Sequence, residues 1–433
     1  MEKPHKKSFL SRLGPGFITG ASDDDPSGIG TYSQTGAIFG YSQLWLALWT
    51  LPFMIAVQEM CGRIGLVTGK GIAGVIRRHY SKRLLFIAVF LLLVANTVNI
   101  GADLGAMASA AQLLVPVPFA ALVLIMTVVT LLMEIFITYK TYATYLKYLT
   151  LSLFAYFFVA FVVTQDWGAV LVNTLVPHLS LTPEYLMNLV AVLGTTISPY
   201  LFFWQADEEV EEEVAEGKLR AMGVGTPKIC DGDIRAMQVD TCVGMGFSNL
   251  VTFFIIMTTA STLHAHGITT ITSAAQAAEA LRPLAGDFAF ALFALGIIGT
   301  GLLAVPVLAG SASYAVSEAF KWREGLSLKL EKAHGFYGVI TIATLLGLLV
   351  NFTPISPFTM LYYTAVLNGV IAPPLMIMIL VIANNRKIMG ERVNSARANF
   401  FGVIITAVMG VAGMALLTSF LQYDSIHLLS LTG

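Results

Sequence analysis

Eleven stretches of this chain are long and apolar enough to cross a lipid bilayer, and that pattern leaves few folds open. They run over approximately 12–40, 43–62, 84–113, 118–138, 144–164, 187–206, 238–263, 287–319, 335–352, 355–383 and 398–421. In hydrocarbon a backbone must satisfy its own polar groups, so each stretch is expected to be helical. Composition agrees: 56% of the 433 residues are hydrophobic and only 12% charged, against about 25% charged in a typical soluble domain. A formal net charge of −1 offers no footprint for nucleic acid. Cys61, Cys230 and Cys242 form no CxxC pair and imply no disulfide framework. A water-soluble enzyme, a nucleic-acid binder and a disordered chain are excluded. The expectation is an all-α integral membrane protein of 11 transmembrane helices, with the lipid bilayer as its solvent and no obligate protein partner.

Orientation follows from Lys and Arg in the short loops. Twenty-four of the 25 fall on one side, and only Arg282 lies opposite. The rule predicts a multi-pass protein of the inner or plasma membrane, N-terminus cytoplasmic and C-terminus outside. Lys3, Lys6 and Lys7 precede the first stretch, but no small-residue cleavage site follows a short apolar core. A retained first helix is expected there rather than a signal peptide.

The first and sixth stretches are unusual. The first contains Asp23-Asp24-Asp25-Pro26-Ser27-Gly28 halfway across, and the sixth contains Gly194-Thr195-Thr196-Ile197-Ser198-Pro199-Tyr200. Proline removes a backbone donor and clashes with the preceding turn, so each helix should break. A lone membrane proline is usually only a kink. Two breaks at the heads of successive five-helix sets, one of them acidic, predict an inverted repeat with a midplane site. The sets are expected at about 12–164 and 187–383, with an extra helix at 398–421, all in one transporter domain spanning 1–433.

At these residues the sequence resembles the NRAMP family of divalent-metal transporters. Gly14-Pro15-Gly16-Phe17 precedes Asp25-Pro26-Ser27-Gly28 at the spacing of the family's GPGF and Asp-Pro-Gly-Asn motifs. Thr68-Gly69-Lys70-Gly71 is similar to its TGK loop, Ala102-Asp103-Leu104 to its acidic third helix, and Val243-Gly244-Met245-Gly246 to the start of its seventh. The resemblance implies the LeuT-type fold and alternating access. It also implies a metal site at Asp25, at Gly28 where the family has Asn, at the Thr195 carbonyl, and at Ser198 where the family has Met. Tyr200 and Gln205 stand where the family has histidines, Asp103 is kept, and Ala106 replaces a Glu. The ninth helix begins His334-Gly335-Phe336 and lacks the paired arginines associated with proton exit.

A thioether favours transition metals, whereas carboxylate, hydroxyl and carbonyl oxygens suit Mg²⁺. Magnesium dehydrates reluctantly and uses one or two carboxylates. A widened oxygen site around Asp25 is therefore expected to pass partly hydrated Mg²⁺, and Mn²⁺, without proton coupling. This is similar to the NRAMP-related magnesium transporter branch. The ion is cargo and no cofactor is expected. Asp23, Asp24 and Asn368 are expected around the site. The acidic run Asp207–Glu216 reads as a solvated extension of the sixth helix, or as an exit vestibule for cations. Glu59 and Glu134 are expected to pair with Arg63 and Lys140. The main rival is a proton-coupled Mn²⁺/Fe²⁺ importer of the parent family. An organic-anion carrier is disfavoured by the aspartates, and an intramembrane aspartyl protease by the absence of a Gly-x-Gly-Asp motif.

Overall fold

The computed structural model describes residues 14–137 and 150–431, and among them the ordered elements are helices. The first expected span is two helices, α1 (Pro15–Asp23) and α2 (Pro26–Phe39). Then follow α3 (Trp45–Thr68), the short α4 (Ile72–His79), α5 (Lys82–Ala111), α6 (Phe119–Phe136), α7 (Phe154–Val162) and α8 (Trp167–Leu175). The sixth span is again two helices, α9 (Pro183–Thr196) and α10 (Pro199–Ala215). The remainder are α11 (Asp231–Thr262), α12 (Ala289–Phe320), α13 (His334–Val350), α14 (Pro357–Ala383) and α15 (Ala396–Leu431).

Seven helical segments among the described residues are individually long and apolar enough to cross a membrane. The other expected spans each have a reason to fall short. The first carries three aspartates at its centre, α3 carries Gln58, Glu59 and Arg63, and α13 has 17 residues. The opening of the fifth, residues 144–149, lies outside the described residues, as do the basic residues of the N-terminal tail.

The bundle closes on small residues, as expected where hydrocarbon surrounds the helices and close backbone approach supplies the attraction. α1 lies against α11 so closely that a Cβ on Gly20 would run into the Gly244 backbone, and one on Gly244 into the backbone of Gly16 and Phe17. α2 continues along the same partner, α9 meets α14 at Gly194 and Gly369, and α5 packs along α12. Span one thus packs on span seven, and α10 of span six packs on α3 of span two. That exchange is what an inverted pair of five-helix sets produces.

Loop chemistry follows the same logic. Gly69 ends α3 at φ +61°, the left-handed conformation that glycine adopts without strain, and its N–H bonds back to Gly65. Gly71 is small because the Asp207 and Glu318 carboxylates lie where a Cβ would stand. Glu318 of α12 accepts N–H bonds from Gly71 at 2.7 Å and Gly74 at 2.6 Å, capping α4 from a distant helix.

Candidate cation site

Both breaks are built alike. Asp25 (φ −68°, ψ 170°) and Ser198 (φ −85°, ψ 139°) are extended, the conformation favoured before proline, and Pro26 and Pro199 open α2 and α10. Asp25 caps α2 by accepting the Gly28 N–H at 2.6 Å through Oδ1. Ser198 does not cap α10. Its hydroxyl donates to the carbonyls of Gly194 at 2.7 Å and Thr195 at 2.8 Å, at the end of α9. The breaks face each other: Ser27 and Thr195 hydroxyls are 3.5 Å apart, and the Tyr200 hydroxyl donates to the Ser22 carbonyl at 3.0 Å. Each break thus sets the C-terminal end of its first half, α1 or α9, against the opening of the other break's second half, α10 or α2.

The free oxygen of Asp25 leads into a network that the sequence reading missed. Asn99 of α5 donates to Asp25 Oδ2 at 3.0 Å and to Asp103 Oδ2 at 3.0 Å, and its own oxygen accepts from Asn368 of α14 at 3.1 Å. The available signal was Asn99 one turn before Asp103 in an otherwise apolar span. Asp23 and Asp24 point elsewhere: both lie within reach of one hydroxyl, Ser248 of α11, at 2.6 and 3.2 Å. Asp23 Oδ1, Asp24 Oδ2 and Asp103 Oδ1 are buried without a hydrogen-bond partner.

Asp23, Asp24, Asp25 and Asp103 are each at most 1% exposed, and no ion pair among the described residues involves them. Burying an unpaired charge is strongly unfavourable, so such a group calls for a cation or a proton. Among the described residues no three His, Cys, Asp or Glu side chains converge closely enough to hold one ion. A cation here would combine at most two carboxylates with amide, hydroxyl and carbonyl oxygens and retained water.

The remaining expected residues divide. Gly28 sits against Asp25, and the Thr195 carbonyl is engaged by Ser198. Gln205 lies two turns beyond its break, donating to Glu209 at 2.8 Å, and is not brought to the site. Glu59 pairs with Arg63. Lys140 lies outside the described residues, and Glu134 is buried. The acidic run does extend α10, but the expectation of a solvated face needs correction. Asp207, Glu208, Glu209 and Glu213 are buried; Gly71, at the link from α3 to α4, lies against the Asp207 carboxylate, and Gly65 against the Ala206 carbonyl.

The family model described as natural resistance-associated macrophage protein-like (Nramp) matches residues 16–419. The divalent metal cation transporter MntH of Caldanaerobacter subterraneus subsp. tengcongensis is 23% identical over 419 residues, covering 95% of this chain and 93% of that one. MntH of Klebsiella pneumoniae subsp. pneumoniae is 25% identical over 425 residues, covering 97% of each. Among solved structures, the Eremococcus coleocola manganese transporter matches with a TM-score of 0.73 at 16% identity, covering 97% of this chain and 89% of that one. Mhp1, a nucleobase-cation-symport-1 family transporter, matches at 0.60 and 12% identity, covering 97% and 93%. These likenesses establish the LeuT-type fold.

Proposed function

The chain belongs to the Nramp family of membrane transporters and is not an enzyme, and from that premise we propose that it imports divalent metal cations, Mg²⁺ with Mn²⁺, by alternating access around Asp25. The relatives named above supply the class of cargo. One observation supports the choice of ion: the groups gathered on Asp25 by hydrogen bonds are the Asn99 amide, the Gly28 N–H and, through Asn99, Asp103 and Asn368. Two carboxylates among amides suit a hard ion that keeps part of its water.

In this reading the ion displaces Asn99 from Asp25 and takes carbonyls from the ends of α1 and α9. The broken helices of the two sets, about 12–164 and 187–383, rock around it. Ala106 stands where the family has a Glu, and α13 begins His334-Gly335-Phe336 without the paired arginines associated with proton exit; in this reading transport runs without proton coupling. The drive is the ion gradient and membrane voltage, about 2.3 kcal/mol per charge at 100 mV, inside negative. The protein sits in the inner or plasma membrane with its basic loops in the cytoplasm.

A proton-coupled Mn²⁺ importer remains the second reading, and Met107 favours it. One turn after Asp103, its sulfur approaches Gly301 beside Pro26, which places a soft donor near the break. The deciding experiment is ion entry into proteoliposomes with trapped Mg²⁺ and pH dyes. The first reading expects saturable Mg²⁺ entry without acidification, abolished by Asp25→Ala and unchanged by Met107→Leu. Mn²⁺ entry with acidification and no Mg²⁺ flux would establish the second.

A further inference from the structure

On the face that carries the basic loops, two long apolar helices end at one corner. α5 starts at Lys82, α12 stops at Phe320, and the two pack along each other. Arg77 of α4 donates to the Glu318 carbonyl, which ties the α4–α5 link to the last turn of α12. An aromatic row crosses the corner. Phe86 lies 5.9 Å from Phe320 between ring centres, and Phe320 stacks on Trp322 at 5.3 Å. Trp322 in turn covers Gly335 at the start of α13, where a Cβ would strike the indole. The three rings are 47%, 53% and 45% exposed, and exposed Ile87 and Phe90 continue the apolar surface along α5.

Four cations rim this row: Lys82 and Arg83 open α5, and Lys321 and Arg323 follow α12. All four are exposed, and no ion pair among the described residues involves them. The positive-inside bias brings basic residues to this face in general. It does not account for the backbone of Lys321. This residue closes α12 in a Schellman turn: its N–H donates to the Glu318 carbonyl, and that of Trp322 to the Ser317 carbonyl at 2.9 Å. It stands at φ +61°, and among the described residues no other non-glycine has a positive φ. Glycine takes that conformation without a steric cost. The turn keeps a lysine in the glycine position, beside the aromatic row.

Aromatic rings at the ends of membrane spans lie at headgroup depth, and long basic side chains beside them reach the phosphates. Unpaired cations above an apolar flank match the two ends of a lipid that carries net negative charge. We propose that this corner binds an anionic phospholipid, its phosphate against Lys82, Arg83, Lys321 and Arg323 and its acyl chains along Phe86 and Phe90. Seated there, the lipid bridges α5, α12 and α13 and fixes their ends at one depth. The leaflet that supplies it follows from the orientation proposed above, and its binding is independent of which ion Asp25 carries.

The test is native mass spectrometry of the full-length protein in detergent, titrated with phosphatidylglycerol or with phosphatidylcholine. Phosphatidylglycerol is expected to be retained in preference to phosphatidylcholine. Lys82→Gln, Arg83→Gln, Lys321→Gln and Arg323→Gln combined are expected to abolish that preference. Lys228→Gln, Arg235→Gln, Arg386→Gln and Lys387→Gln combined, the same loss of charge on the same face, are expected to keep it. Lys321→Gly is the sharper variant. It relieves the strained turn and is expected to raise the melting temperature, yet to weaken phosphatidylglycerol binding about fivefold, the size of one basic residue at a charged membrane surface. A variant that gains stability cannot have lost the lipid by unfolding. Equal retention of the two lipids, equal loss in both fourfold variants, or unchanged affinity in Lys321→Gly overturns the proposal. Displacement of the lipid by an equal concentration of inorganic phosphate would mean that the corner holds a bare anion, and overturns it as well.

Discussion

Asn99 uses every hydrogen-bonding group its amide possesses, two donors on two carboxylates and one acceptor for Asn368. Removing it leaves Asp25 and Asp103 with no group between them. Asn99→Ala is expected to weaken cation binding about tenfold, the scale of one charge-assisted hydrogen bond; titration calorimetry with Mg²⁺ checks it. Ser248→Ala, which unpartners Asp23 and Asp24 instead, is expected to alter that affinity less. The hydroxyl of Ser198 is turned back onto α9, so a longer side chain has to take a different course at this break. Ser198→Met is expected to shift preference from Mg²⁺ toward Mn²⁺ by about tenfold, since a thioether discriminates against hard ions. Competition between the two ions in the flux assay reads it. Asp25, Gly28, Thr195 and Ser198 were named through the family resemblance at the two proline-marked breaks. Asn99 was not, because an asparagine in a membrane span is usually a structural hydrogen bond, and only its neighbours across three helices reveal its reach.

The two breaks were legible for a local reason: each proline follows small and polar residues that favour an extended link, whereas Pro52, Pro306, Pro373 and Pro374 in apolar runs stay inside their helices. The burial of Asp207, Glu208, Glu209 and Glu213 was not, because it depends on segments far away in the chain, such as Gly71 against Asp207, more than a hundred residues earlier. The α1–α11 seam has no slack. Gly20→Ala is expected to cost about 1–3 kcal/mol through overpacking, seen as a lower melting temperature in detergent, with loss of flux beyond what stability alone removes. Below the end of α12, Glu324 is pushed up to about 9, first by burial and then by the Glu318 charge. A carboxyl raised in the folded state contributes stability below its ordinary range near 4.5 and loses it as pH climbs toward 9. Thermal stability should therefore fall across that window, and Glu324→Gln should flatten the decline.

Charge asymmetry and helix count were both visible before any coordinates, since they depend on composition summed over long segments. The pairing of spans one with seven and six with two was not legible there, since nothing local in either span names its partner. Cys230 tests the orientation, because it is exposed at the start of α11, on the face that carries the basic loops, whereas Cys61 is buried. A membrane-impermeant maleimide is expected to label Cys230 in inside-out vesicles and not in right-side-out ones. Labelling from the opposite side would invert the topology.

The aspartates at the first break also bear on how the chain is made. A span with three acidic residues at its centre is a poor candidate to enter the bilayer unaided, at about 2.5 to 3.5 kcal/mol for each charge on insertion scales. The groups that meet those carboxylates, Asn99 and Ser248, belong to spans synthesised third and seventh. The acidic segment therefore meets its buried partners only once segments later in the chain are in place. Its insertion depends on how quickly α11 is delivered.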